Sequence, residues 1–292
     1  MFHLEGGLDL SAIDQTLSGE TPFKQMRAKL LGVGREHTAV VATELCFRTT
    51  LNESGRQAVR KSLDVSAPRA LSTEEVRGVI ADFAQAAANA VEAGFDGIEL
   101  HGANGYLIEQ FLNPLVNDRT DAYRGDTLEG RTRFLLEAVD AVIARIGADK
   151  TAIRLSPYGG LFDMGTYPEI EETYLYLAGE LSRRGLAYIH LMDQKSRGSA
   201  AIPEAFLARF RARFHGVLIL AGGMTRERAE QHLANGLIDI AAFGEPFIAN
   251  PDLVERLRND WPLAQADRTL HYGGGAEGYT DHPSYNEERN AA

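Results

Sequence analysis

From residue 72 onward the apolar positions alternate between two textures. One is a longer segment in which Ala, Leu, Val and Ile recur at helical spacing; the other is a short, nearly continuous apolar run bounded by glycine or a polar cluster. Ser72-Thr73-Glu74-Glu75 is a capping box: the Ser72 hydroxyl can accept from the amide three residues on while Glu75 reaches back. It predicts a long Ala-rich helix to about Glu92, stopped by Ala93-Gly94, and then a strand over Phe95–Leu100. The same reading predicts helices over Leu128–Ile146, Glu169–Arg184, Pro203–Phe214, Thr225–Asn235 and Pro251–Arg258. Between them it predicts strands over Thr151–Leu155, Ala187–Met192, Val217–Ala221 and Ile238–Phe243.

Strands this apolar suit burial on both faces of a parallel sheet, and unbroken alternation with helices leaves a closed barrel or an open doubly wound sheet. The polar residues favour the barrel. His101 follows Leu100, Arg154 lies in the next strand, Asp193 follows Met192, Gly222-Gly223 follow Ala221, and Gly244-Glu245 follow Phe243. Every cluster falls at a strand's C-terminal end, where barrel loops converge on one site, whereas an open sheet concentrates ligands at a single switch point. The predicted fold class is therefore α/β, a (β/α)8 TIM-type barrel, N-terminally abbreviated or rebuilt. Residues 68–292 form its main body with a polar, Gly-rich tail. Residues 1–67 are an atypical N-terminal segment in which 29–33 and 39–45 could be strands.

Composition narrows the function. At 292 residues, 44% hydrophobic and 24% charged, the chain is an ordinary globular protein rather than a disordered or fibrous one. A net charge of -11 repels nucleic acid and anionic membrane surfaces, which points to a small-molecule substrate. The single cysteine, Cys46, excludes an intrachain disulfide framework and a multi-cysteine metal site, so no metal is expected. It suits a reducing compartment, and with no signal-peptide pattern at Met1–Leu10 the expected location is cytoplasmic.

The segment His101-Gly102-Ala103-Asn104-Gly105-Tyr106 carries the most chemistry in the fewest residues. It offers two side-chain donors and a phenol in a glycine-relaxed turn after a buried strand; the same pattern would also serve as a capping Asn beside a half-buried His and Tyr. Its setting favours the first. Phe95-Asp96-Gly97-Ile98-Glu99-Leu100-His101-Gly102-Ala103-Asn104-Gly105-Tyr106-Leu107 closely resembles the old yellow enzyme family of flavin-dependent ene-reductases. In order along the chain, so do Asn117-Asp118-Arg119-Thr120-Asp121-Ala122-Tyr123, Ile153-Arg154-Leu155-Ser156-Pro157, Ala221-Gly222-Gly223, Phe247-Ile248-Ala249-Asn250-Pro251, and Gly278-Tyr279-Thr280-Asp281. The resemblance covers about residues 68–286.

It implies an FMN-containing barrel that takes hydride from NADPH or NADH and passes it to an activated alkene, an α,β-unsaturated carbonyl or nitro compound. His101 and Asn104 match the pair that hydrogen-bonds the substrate oxygen, where fixed donors stabilise developing enolate charge. Tyr106 matches the proton donor, a phenol that stays protonated at neutral pH. Arg154 matches the cation at the flavin's pyrimidine edge, and Gly222, Gly223 and Gly244 match backbone positions around the FMN phosphate. Tyr279 resembles an aromatic bordering the substrate cavity.

Several positions depart from the family pattern. Lys29, in a segment resembling the family's third strand, stands where a flavin-contacting glutamine is usual, and Leu31 replaces a common aromatic. Arg124 and Asp126 replace a glycine and a serine, Gly130 replaces an asparagine, and Glu245 stands where an arginine commonly meets the FMN phosphate. Two N-terminal strand units of the family have no counterpart in the sequence, which leaves a barrel wall to be completed by other residues or by a second copy in a homo-oligomer. Two functions compete: an FMN-dependent NAD(P)H ene-reductase, favoured by the intact His101, Asn104, Tyr106 and Arg154; and a catalytically impaired scaffold or binding protein with weak or no FMN binding, favoured by Glu245. A third, a sugar-phosphate isomerase or aldolase, lacks a lysine at the strand ends.

Overall fold

The computed structural model describes residues 69–271, 276–278 and 280–291. Lys29, the candidate strands at 29–33 and 39–45, and Tyr279 lie outside the described residues.

The first described element is helix α1, Thr73–Glu92, and it begins as its capping box requires. The Glu75 amide donates to Ser72 Oγ at 3.2 Å and the Ser72 amide donates to Glu75 Oε2 at 2.7 Å. Strand β1, Ile98–Gly102, follows, then α2 (Leu107–Leu112), α3 (Leu128–Ile146), β2 (Thr151–Leu155), α4 (Ile170–Arg184), β3 (Tyr188–Met192), α5 (Glu204–Arg211) and β4 (Val217–Ala221). The chain ends through α6 (Arg226–Ala234), β5 (Ile240–Ala242), α7 (Glu245–Ala249), α8 (Leu253–Asn259) and α9 (Tyr285–Ala291). The helix expected over 251–258 forms as α8; the short α7 before it was not expected, and Asn250-Pro251 separates the two. Helix α2 has no signature of its own in the sequence, since six residues are too few to display a helical period.

The strands form a five-stranded parallel sheet in the order β1-β2-β3-β4-β5. Each crossover joins immediate neighbours and the order never reverses. Right-handed crossovers stepping always in one direction place every connecting helix on one face of the sheet, which is the wall of a barrel and not a doubly wound sheet.

Register separates the two faces. Leu100 pairs with Ile153, Ile153 with Ile189, and Ile189 with Leu218. Together with Leu155, Leu191 and Leu220 these side chains lie buried in one apolar core with Phe134 of α3, Leu177 and Leu181 of α4, and Phe206 and Phe210 of α5. The opposite, inward face carries Glu99 and His101 of β1, Arg154 of β2, His190 and Met192 of β3, and Ile219 of β4; His101 pairs with Arg154, and Arg154 with His190. Alternation along each strand therefore sends the apolar residues to the helices and the polar ones to the interior of the wall.

One boundary matters for the chemistry. Strand β1 ends at Gly102, not Leu100, so His101 is a strand residue held by register rather than the first residue of a loop.

Candidate active site

The residues singled out in the sequence meet at the C-terminal end of β1 and β2. His101 and Arg154 stand side by side on the inward face. After Gly102 the chain turns through Asn104 at φ 60° and Gly105 at φ 77°, two consecutive left-handed residues that aim the following side chain back over the strand end. Glycine is required at 105, because a Cβ there would lie 2.7 Å from the Leu161 carbonyl oxygen. Tyr106 is then the N-cap of α2, and its ring lies 4.6 Å from that of His101, centroid to centroid, with Phe162 on its other side at 5.9 Å. His101, Asn104 and Tyr106 are all half-buried, so each is anchored while keeping a solvent-facing part.

The orientation of Asn104 is set by a neighbour that the sequence did not reveal. Gln194, the second residue beyond β3 and 1% exposed, donates from Nε2 to Asn104 Oδ1 at 2.9 Å. With its oxygen engaged, Asn104 has its Nδ2 hydrogens to offer, which is the donor character the substrate role requires. Gln194 Oε1 accepts from the amides of Gly160 at 3.0 Å and Leu161 at 3.2 Å, so one side chain ties the loops after β1, β2 and β3 together.

Beneath the turn lies a second unanticipated residue, Glu109. It is fully buried in α2 and accepts from the Gly105 amide at 2.5 Å, from Ser156 Oγ at 2.7 Å and from Tyr174 OH at 3.2 Å. Ser156 Oγ in turn accepts from the Asn104 amide at 2.8 Å. Burial pushes the Glu109 carboxyl up to about 7, although all three donors favour the ionised form. The available signal was an acid inside the apolar run Tyr106-Leu-Ile-Glu-Gln-Phe-Leu.

Deeper on the inward face His190 Nδ1 and Glu99 Oε2 are 3.0 Å apart. Burial opposes ionisation of Glu99, but the hydrogen bond and charge of His190, with the charge of Arg154, outweigh it and hold the carboxyl below its usual range. Arg154, half-buried on the inward face, donates from Nη2 to Met192 Sδ at 3.2 Å.

The expected phosphate residues lie further along the sheet at the ends of β4 and β5. Gly222 and Gly223 both have positive φ, 102° and 57°, and a Cβ on Gly222 would fall 1.8 Å from the Asp193 carbonyl oxygen, so no other residue fits that turn. Arg228 of α6 braces the turn, donating to Gly222 O at 2.6 Å and to the buried Asp193 Oδ2 at 2.6 Å. Gly244 is the N-cap of α7. Glu245, which stands where the family commonly has an arginine, forms a bidentate pair with Arg268 at 2.7 and 3.0 Å, and that guanidinium holds its carboxyl below the usual range. The pair explains how an acid is accommodated at this end, and nothing in the sequence linked residues 245 and 268.

These residues fit FMN. Arg154 would face the ring edge, the positive-φ turn at Gly222 and Gly223 would offer amides to the phosphate, and the two acids at that end, Asp193 and Glu245, are each paired with an arginine. Among the described residues no cluster of His, Cys, Asp and Glu could hold a metal ion, and no helix is long and apolar enough to cross a membrane.

A sequence model of the NADH:flavin oxidoreductase / NADH oxidase family matches residues 30–264. The 12-oxophytodienoate reductase 2 of Arabidopsis thaliana is 46% identical over 221 residues, which is 74% of this chain and 58% of that protein. Among solved structures, morphinone reductase superposes with a TM-score of 0.72 at 46% identity, covering 76% of this chain and 59% of that one, and it has also been solved in complex with tetrahydroNAD. The old yellow enzyme from Trypanosoma cruzi superposes with a TM-score of 0.70 at 36% identity, covering 76% of this chain and 59% of that one. The chain spans about three fifths of the length of these relatives.

Proposed function

The chain belongs to the NADH:flavin oxidoreductase / NADH oxidase family, the family of the old yellow enzymes, and from that premise we propose that it is an FMN-dependent ene-reductase. Its substrates are a nicotinamide dinucleotide, NADH or NADPH, and an alkene activated by a carbonyl or nitro group. The observation that carries the reading is the grouping of His101, Asn104 and Tyr106 around one left-handed turn, with Arg154 beside His101 in register.

FMN, when bound, supplies the hydride relay between nicotinamide and alkene. Arg154 would hold its pyrimidine edge, and the backbone of Gly222, Gly223 and Gly244 its phosphate. His101 and Asn104 bind the substrate's carbonyl or nitro oxygen. As hydride reaches the β carbon, negative charge gathers on that oxygen, and two preorganised donors stabilise it more in the transition state than in the ground state. Tyr106 delivers its phenolic proton to the α carbon, which completes a net addition of hydrogen across the double bond. Phe162 packs edge-on against the Tyr106 ring and helps hold it in place.

Two measurements test this. The purified protein should carry flavin absorbance that survives desalting, and it should oxidise NADPH or NADH anaerobically only when 2-cyclohexenone or a nitroalkene is present. A colourless protein that takes up no added FMN would support the scaffold reading instead.

A further inference from the structure

Asn104 and Tyr106 are placed by backbone, and the backbone between them rests on one carboxyl group. Glu109 accepts from the Gly105 amide directly and reaches the Asn104 amide through Ser156 Oγ. Both residues of that turn, Asn104 and Gly105, are left-handed, a conformation that persists for Asn104 only while its surroundings hold it. Ser156 is the residue immediately after β2, two places beyond Arg154, so the same link fixes the turn against the strand that carries the cation.

We propose that Glu109 is a positioning residue for the substrate-oxygen donor Asn104 and the proton donor Tyr106, and that its ionisation state tightens or relaxes the turn that presents them. The inference deepens the ene-reductase reading and rests on it for its kinetic arm. As a carboxylate, Glu109 accepts from three donors at once. Protonated, it must turn one oxygen into a donor; the Gly105 N–H cannot rotate away, so the proton goes to the oxygen facing the hydroxyls of Ser156 and Tyr174. Ser156 then receives hydrogen bonds from both Glu109 and Asn104, and its own hydrogen no longer pins the carboxyl. The tie between the turn and β2 is thereby weakened without being broken.

The groups facing Glu109 leave it as the one that titrates. Tyr174 on α4 is buried against it and its phenol is pushed well up, by burial first and by Glu109 second. Tyr167, just before α4, is likewise pushed up, by burial first with Glu109 contributing. Ser156 and the Gly105 amide carry no charge. The carboxyl itself, raised to about 7 by burial, changes state in the neutral range.

Glu109→Gln is the decisive variant. Its amide oxygen can accept from Gly105 while its NH2 donates to Ser156 and Tyr174, so it reproduces the protonated acid and cannot ionise. Infrared difference spectra of wild type against Glu109→Gln should show a protonated buried carboxyl band that vanishes with rising pH around 7. Single-turnover reduction of 2-cyclohexenone, a substrate with no titrating group, should accelerate through the same pH in wild type and stay flat at the low-pH rate in Glu109→Gln. Ser156→Ala cuts the relay to Asn104 while keeping the acid; it should slow that step about 10- to 100-fold, the usual penalty for misplaced donors, with flavin reduction by NAD(P)H less affected. Hydrogen exchange of the peptide spanning residues 103–108 should quicken in Ser156→Ala and, above pH 7, in Glu109→Gln relative to wild type.

Failure of the two readings is separable. Identical pH profiles in wild type and Glu109→Gln, or exchange at 103–108 unchanged in both variants, would overturn the positioning role even in an active ene-reductase. A wild type with the titrating band and the exchange differences but no alkene turnover would retain the anchoring of the turn and overturn the ene-reductase reading.

Discussion

Replacing Gln194 with methionine isolates what holds Asn104 in its donor orientation. Methionine keeps the length and unbranched shape of glutamine, so the loss is confined to the amide. Four hydrogen bonds involve that amide: to Asn104 Oδ1 at 2.9 Å and from Gly160, Leu161 and Ser199 at 3.0, 3.2 and 3.3 Å. Gly160 keeps a second acceptor, Ser199 Oγ at 3.0 Å, and the half-buried Ser199 hydroxyl can turn to solvent, so the Asn104 oxygen and the Leu161 amide are the groups left unsatisfied. Both belong to half-buried residues, and an unsatisfied group there costs about 1 kcal/mol, the low end of the range for full burial, giving about 2 kcal/mol in all. For a domain of this size that lowers Tm by about 4–8 °C.

The functional loss comes from the Asn104 rotor. Freed from Gln194, its amide can present oxygen as readily as nitrogen to a bound anion. If it forfeits about 1 kcal/mol of a charge-assisted hydrogen bond worth roughly 1.5–3 kcal/mol, a phenolate ligand binds about fivefold more weakly. Scanning calorimetry of apo and FMN-loaded protein, and titration of the loaded protein with a para-substituted phenol, read the two effects separately. An unchanged Tm and an unchanged phenol affinity would together refute the network. A fall in Tm without loss of phenol affinity would show that Gln194 braces the loops but does not orient Asn104.

The remaining expectations follow from the same site. Tyr106→Phe should slow alkene reduction by about 100-fold or more while leaving flavin reduction by NAD(P)H nearly unchanged; equal loss in both half-reactions, followed by stopped flow, would make Tyr106 a support for the pocket. His101→Ala should weaken phenol binding by about 10- to 100-fold, since a donor to a charged oxygen is worth roughly 1.5–3 kcal/mol, and an unchanged titration would remove its substrate role. Glu245→Gln releases Arg268 from its pair, so FMN should bind up to about fivefold tighter at low salt, with the difference lost at high salt; fluorescence titration showing no change would place the pair away from the phosphate. Because Glu109 is raised to about 7 when folded, its protonated form stabilises the fold below the ordinary carboxylate range, and that contribution is lost as pH rises through 7. Denaturant unfolding of Glu109→Gln should therefore lack a decline on the order of 3 kcal/mol between pH 4.5 and pH 7 that wild type shows; parallel curves would contradict it.

Much of the architecture was legible because it depends on local signals. The capping box at Ser72, the helical period of Leu128–Ile146 and the apolar run Val217–Ala221 each encode an element within a few residues, and each forms where expected. The C-terminal placement of His101, Arg154, Gly222 and Gly244 followed from counting residues past each strand, which is why the sequence also indicated where the site would assemble. Register did not follow. Only pairing across the sheet puts His101 beside Arg154 and extends β1 to Gly102, because a strand's last residues are fixed by the neighbour they bond to. The supporting contacts were hidden for the same reason. Gln194 is 90 residues from Asn104, Glu109 is 47 from Ser156, and Arg268 is 23 from Glu245. The sequence alone determined which groups can do the chemistry, since a residue's type carries its donors, acceptors and charge. Tertiary structure decided how those groups are held and in what state they ionise, because burial and hydrogen-bond partners belong to the folded surroundings and not to the residue.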